Sequence, residues 1–253
     1  MRTIAIANQK GGIGKTTTAI NIADCLTHMG KKVLFIDLDP QCNSTGTFKA
    51  EIEGCATICD VFGGDVEPKE AIQHTQMGDI IAGDPLMAND EARYQSTMGG
   101  YNKAKNICKK VAKEYDYCII DTPPNLGIYM INALNAANSV IIPIQADNYA
   151  IEGLTNVLKT IEDVKDNANA DLKIEGVLLT KYDARMNLDK ETKAQLPTIC
   201  KSIGLPLFKI SIRTDQTIKD AQAAKVSLFD VAPKCKGAED YKALVEKLIK
   251  SKK

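Results

Sequence analysis

The stretch Gln9-Lys10-Gly11-Gly12-Ile13-Gly14-Lys15-Thr16-Thr17 combines glycines, lysines and hydroxyls in an order suited to holding phosphate. It follows a short apolar run, Thr3–Ala7, and leads into a helical pattern that starts near Thr16. A glycine-rich turn between strand and helix leaves backbone N–H groups unpaired and aimed at one point, and the positive end of the helix dipole adds to their pull on an anion. Gly11, Gly12, Ile13, Gly14 and Thr17 would form the cradle. Lys15 would reach the terminal phosphates as a point charge, and the Thr16 hydroxyl would hold Mg²⁺. The strict phosphate-loop pattern wants glycine where Gln9 stands. A second lysine, Lys10, sits at the loop entrance instead. Strand, glycines, Lys-Thr and helix in this order read as a nucleotide site.

Two strand ends offer the carboxylates such a loop needs. Phe35-Ile36-Asp37-Leu38-Asp39-Pro40-Gln41 runs from a buried strand into a loop, and Tyr117-Cys118-Ile119-Ile120-Asp121 is an apolar run closed by Asp. An Asp after such a run, beside a phosphate loop, usually orients Mg²⁺ directly or through water, which suits Asp121. Asp39 could serve the metal and polarise the water that attacks a γ-phosphate. Strand-end Asp residues also cap turns and helices; two of them on strands expected beside the first favour chemistry. A further strand end, Thr180-Lys181-Tyr182-Asp183, reads like the TKxD motif with which some GTPases read guanine, and puts Lys181 and Asp183 near the base.

These residues need a scaffold, and the pattern supplies one. Buried strands are expected at Thr3–Ala7, Lys32–Leu38, Asp79–Gly83, Tyr117–Asp121, Ser139–Ile144, Leu172–Thr180 and Leu205–Ile210. Helical patterns cover Thr16–Met29, Asn102–Glu114, Gly127–Ala137, Ile151–Asn167, Leu188–Ile203 and Gly237–Lys250. Such alternation predicts an α/β fold, a doubly wound, mostly parallel sheet with helices on both faces and ligands at the carboxyl ends of the strands. No linker interrupts it, so one domain over residues 1–253 is expected. The first strand starts at residue 3, which leaves no N-terminal helix-turn-helix.

The formal net charge of the 253 residues is zero, so no overall field advertises a nucleic-acid partner. Residues 181–253 nonetheless carry 16 Lys and Arg against 9 Asp and Glu, which permits a basic face or merely a solvated one. Of the eight cysteines, Cys25, Cys108, Cys118 and Cys200 fall inside apolar patterns, and the close pair Cys55 and Cys59 lacks the partners of a zinc site. That usage fits a reducing cytosol. No signal peptide or apolar run long enough to span a bilayer occurs, so stable membrane insertion is not expected.

The Lys10–Thr17 string resembles the deviant Walker A box of the ParA/Soj/MinD group of P-loop ATPases. Asp37-Leu38-Asp39-Pro40-Gln41-Cys42-Asn43 is similar to that group's DLDPQGN segment, and Asp121-Thr122-Pro123-Pro124-Asn125-Leu126-Gly127 to DTPPSLG. Pro143-Ile144-Gln145 with Tyr149-Ala150-Ile151-Glu152-Gly153-Leu154 resembles PVQ…YYALEGL, and Pro233–Ala238 resembles PKSKGA. The resemblance implies ATP with Mg²⁺, and a homodimer formed on ATP binding. In that dimer Lys10 would reach the partner's phosphates, and Lys10, Lys15 and Asp39 would be the catalytic residues. It also implies slow hydrolysis stimulated by a ParB-like centromere-binding protein, non-specific DNA binding, and a cytoplasmic, nucleoid-associated chain that segregates a chromosome, plasmid or mobile element. DNA contacts would come from Arg213, Lys219, Lys225, Lys234, Lys236, Lys247, Lys250, Lys252 and Lys253. Two departures stand out. Cys42 replaces a glycine and is expected to alter the switch-loop backbone, and Ile210–Asp215 lacks the group's IPRN sequence. Lys181 stands where the group usually has Met, with an Asp in the place of Asp183, and since the group uses ATP the resemblance implies ATP over GTP. The alternative is a MinD-like positioning ATPase whose tail, with Leu244, Val245, Leu248 and Ile249 between lysines, lies on a membrane.

Overall fold

The computed structural model describes residues 1–147 and 150–250, the side chains of residues 150–152 excepted. Tyr149, the side chains of Ala150, Ile151 and Glu152, and the tail lysines Lys252 and Lys253 therefore lie outside the described residues.

The strands are β1 (Arg2–Ile6), β2 (Val33–Asp37), β3 (Ile72–Thr75), β4 (Gly78–Ile81), β5 (Tyr117–Asp121), β6 (Ser139–Gln145) and β7 (Lys173–Thr180). They form one sheet in the order β3-β4-β2-β5-β1-β6-β7, parallel throughout except for β3, which runs antiparallel to β4. The central strands are apolar on both faces because helices cover both. The helices are α1 (Lys15–His28), α2 (Asn43–Phe48), α3 (Ile58–Gly63), α4 (Met87–Ser96), α5 (Lys103–Val111), α6 (Ile128–Ala136), α7 (Ala150–Asn167), α8 (Asn187–Ser202), α9 (Gln216–Ala224), α10 (Leu228–Val231) and α11 (Lys236–Lys250).

Strand alternation sorts the core into two layers. Ala5, Leu34, Ile36, Cys118 and Ile120 face α3 to α8, while Ile4, Ile6, Phe35, Ile119 and Leu178 face α1, α2 and α9 to α11. All six helices the periodicity predicts are found, five of them within a residue of their expected ends, while α5 stops at Val111, three residues short of Glu114. One expected strand is not. Leu205–Ile210 lies beside β7 but bonds to it only in part: the Val177 N–H donates to the Pro206 carbonyl at 2.9 Å, and the Phe208 N–H returns to Val177 at 3.0 Å. Pro206 has no N–H to donate, so the ladder cannot run on through it.

Candidate functional site

β1 ends at the centre of the carboxyl rim, and the chain turns through residues 8–14 into α1. Gly12 and Gly14 hold φ of 73° and 89°, left-handed values at which a side chain would be strained. Gly14 is the N-cap of α1 and no side chain caps the first turn, so its N–H groups stay available to an anion. Buried Asn8 props the turn: its amide donates to the Pro143 carbonyl at 2.7 Å, and its oxygen accepts the Lys10 N–H at 3.1 Å. From the other side the Thr180 hydroxyl sits 2.7 Å from the Ile13 carbonyl and 2.8 Å from that of Ile144. Lys181 Nζ donates to the Gly12 carbonyl at 2.5 Å.

The two loop lysines point apart. Lys15 is buried and its Nζ donates to the Lys10 carbonyl at 2.8 Å. Burial lowers its pKa, and Asp121 and Asp39 oppose that loss. The Lys10 side chain instead turns to its own subunit, where Nζ lies 2.6 Å from Asp147 Oδ2 just beyond β6.

Asp37 and Asp121 face one another in register at the ends of β2 and β5, both fully buried. Asp121 accepts the Ser44 hydroxyl at 2.8 Å and also the Thr16 hydroxyl. Asp37 accepts the Asp39 N–H at 3.1 Å and, from Thr45, the N–H at 2.9 Å and the hydroxyl at 2.8 Å. Burial, above all, pushes both carboxyls above their usual range, and the charge of Asp37 raises Asp121 further. Asp39 is buried in the following turn and accepts the Gln41 N–H at 3.0 Å. Three carboxylates around one buried ammonium are short of positive charge, so the donor set fits a divalent cation at Thr16 and Asp121. Among the described residues no group of three or more His, Cys, Asp or Glu could hold a metal unaided. Mg²⁺ does not need one, because phosphate oxygens complete its shell.

Cys42 keeps φ of 54°, a geometry glycine adopts freely, and its thiol donates to the Pro40 carbonyl at 3.5 Å. The switch loop thus keeps a glycine-like backbone despite the side chain, at a strain of about 1–2 kcal/mol.

Beside the phosphate loop lies a cavity of about 340 Å³, bounded by Gly14, Thr17, Lys181, Thr214, Asp215 and Gln222 among others. Asp183 is not among its lining residues. Arg185 grips the Asp183 carboxylate at 2.6 and 3.0 Å and holds its pKa down at about 2. Lys181 thus reaches the loop, while Asp183 does not line this cavity and pairs with the exposed Arg185.

A family model described as "AAA domain" matches residues 1–174. Over 250 residues the chain is 38% identical to the sporulation initiation inhibitor protein Soj of Bacillus subtilis, covering 97% of both. This chain belongs to the ParA/Soj family. The chromosome partitioning protein ParA of Myxococcus xanthus is 35% identical, with 98% of this chain and 88% of that one covered. Among solved structures, cobyrinic acid a,c-diamide synthase from Mycobacterium smegmatis, with bound ATP analogue and magnesium, superposes at a TM-score of 0.86. It shares 32% identity over 99% of this chain and 95% of that one.

Asn8, Ser44, Thr45, Asp147 and Thr180 hold the site together; Thr180 opens the TKxD-like string, Ser44 and Thr45 directly follow Asn43, and Asn8 and Asp147 lie outside any chemically suggestive string. The threonine of the TKxD-like string and the hydroxyls that follow Asn43 were the available signals. Arg213, expected on DNA, is bound at 2.8 Å to Asp240 and at 3.2 Å to Glu239. Leu244, Val245 and Leu248, the apolar face of α11, are buried in the layer that holds α1.

Proposed function

We propose that this chain is a partition switch. ATP with Mg²⁺ closes two copies into a dimer, the dimer holds DNA without sequence preference, and slow hydrolysis stimulated by a ParB-like partner releases it. An ATPase of the segregation class follows from the likeness to Soj and ParA over nearly the whole chain. The finer steps are our reading of the site.

In that reading the unspent N–H groups around Gly11–Gly14 bind the phosphates, and Lys15 leaves the Lys10 carbonyl for their oxygens. Thr16 and Asp121 hold Mg²⁺, which supplies charge to the phosphate oxygens when bound. Asp39 orients the attacking water, and Lys10 leaves Asp147 to reach the partner's nucleotide as an arginine finger would. Capture of Asp183 by Arg185 favours ATP over GTP, so turnover should be faster with ATP. The basic face then rests on Lys219, Lys225, Lys234, Lys236, Lys247 and Lys250 rather than Arg213, and retention on DNA should fall steeply with salt.

The observation that carries the proposal is Lys10 at the entrance of a loop flanked by Asp37, Asp39 and Asp121. Its test is Lys10→Ala, followed by sedimentation and turnover with ATP. We expect nucleotide still to bind while the ATP-dependent dimer and the hydrolysis are lost; a variant that pairs and hydrolyses like the parent overturns it. The MinD-like alternative has less support, because the apolar face of α11 that would lie on a membrane is already buried in the core. Co-sedimentation with vesicles in ATP would revive it. A cytoplasmic, nucleoid-bound location completes the proposal.

A further inference from the structure

The edge of the sheet remote from β3 carries a feature that nucleotide chemistry does not use. Helix α8 has 16 residues, of which only Leu196 and Cys200 are buried. Opposite it runs the segment that failed to become a strand. Its ladder to β7 lapses after Phe208 and resumes where the Ile212 N–H donates to the Leu179 carbonyl at 2.8 Å, so Lys209–Ser211 stands off the edge. Between helix and segment opens a groove of about 550 Å³. Leu179 forms its floor, with Leu196 and Pro197 on one wall and Leu205, Leu207 and Phe208 on the other.

The rim has one sign of charge. Lys193, Lys201 and Lys209 line it, and no Asp or Glu does among the described residues. Lys193 Nζ lies 4.2 Å from the centre of the Tyr182 ring, which steadies it without neutralising it. Lys193 and Lys201 are two turns apart on α8, about 12 Å along its axis. Lys209 faces them from the opposite wall. A helix laid in the groove would meet that spacing with carboxylates seven or eight residues apart, and its leucine stripe would meet the apolar floor. The groove is open to solvent, which suits a helix better than a fatty acid, whose chain calls for an enclosed pocket.

We infer that this groove docks an acidic amphipathic helix of a protein partner. The docked helix would sit back to back with the nucleotide site: Ser211 lines the groove while Ile212 and Arg213 line the nucleotide cavity. The inference does not depend on the role proposed for Lys10.

The test uses the full chain and two synthetic helical peptides that share one leucine stripe, flanked by glutamates in the first and by lysines in the second. Binding is read by fluorescence anisotropy and by the amide signals of Leu205–Ser211. The acidic peptide should bind and shift those signals. The K193E/K201E/K209E variant should bind it at least about tenfold more weakly, the sum of three exposed pairs, and should accept the basic peptide instead. ATP turnover of that variant should match the parent, which certifies its fold. Equal binding of both peptides, absence of binding by the acidic one, or prior occupation of the groove by a second copy of this chain would each overturn the inference.

Discussion

Lys10 rests 2.6 Å from Asp147, and both side chains are partly exposed, at 38% and 25%. A pair so placed is worth about 0.2–1 kcal/mol, enough to bias the lysine and too little to lock it. On the reading proposed above, Asp147→Ala removes a competitor for the lysine. ATP-dependent dimerisation should strengthen by up to about fivefold in sedimentation; a weaker dimer would show that Asp147 serves the closed state instead. Arg213 is a different case. Its guanidinium bonds Asp240 and Glu239 on α11, so Arg213→Ala should destabilise the fold by roughly 1 kcal/mol, screened as it is, and leave the salt slope of DNA binding unchanged. Melting temperature and DNA retention across a salt series separate the two effects. At this scale the groups proposed to meet phosphate are legible in the sequence, because glycine, lysine and strand-end Asp announce themselves by type and order. The sequence concealed those that hold them. Ser44 reaches Asp121 across 77 positions, and Thr180 reaches Ile13 across 167. No local pattern encodes a bond of that span.

The elements were legible in proportion to how strongly their own residues demanded them. Buried strands and long amphipathic helices were evident; α2, α3, α4, α9 and α10 were not, because α2, α3 and α10 are too short to show a period and α4 and α9 bury only two side chains each. Strand β3, Ile-Gln-His-Thr, is an edge strand with only partial burial, so it lacks the apolar run of its neighbours. Conversely, Leu205–Ile210 has strand composition but not the donors. Its Phe208 ring also fills the space over Gly176, where a Cβ would meet two ring carbons at 2.8 Å. Gly176→Ala should therefore force ring and segment outward and cost about 1–3 kcal/mol in denaturant unfolding. A neutral result would mean that the segment beside β7 yields freely.

Across the whole molecule, the two core layers meet the surface differently. The layer holding α1 is stitched to α10 by His28, whose Nδ1 bonds the Asp24 carbonyl at 3.0 Å and whose Nε2 bonds Asp230 at 2.8 Å. Burial alone would lower this imidazole's pKa; the bonds to Asp230 and Asp24 outweigh it and raise it above the ordinary 6.5. A group raised in the folded state stabilises most below its unfolded value and loses that contribution as pH climbs through the folded one. The parent's advantage in melting temperature over His28→Gln should thus be full at about pH 6 and shrink towards about pH 9. An advantage that grew with pH would contradict the assignment.

The bond from Lys15 Nζ to the Lys10 carbonyl yokes the loop's two cations, since one ammonium grips the very peptide unit from which the other springs. On the reading proposed above, a triphosphate that drew Lys15 away would strip that carbonyl of its donor and let the unit swivel. Loading and unhooking would then be a single movement.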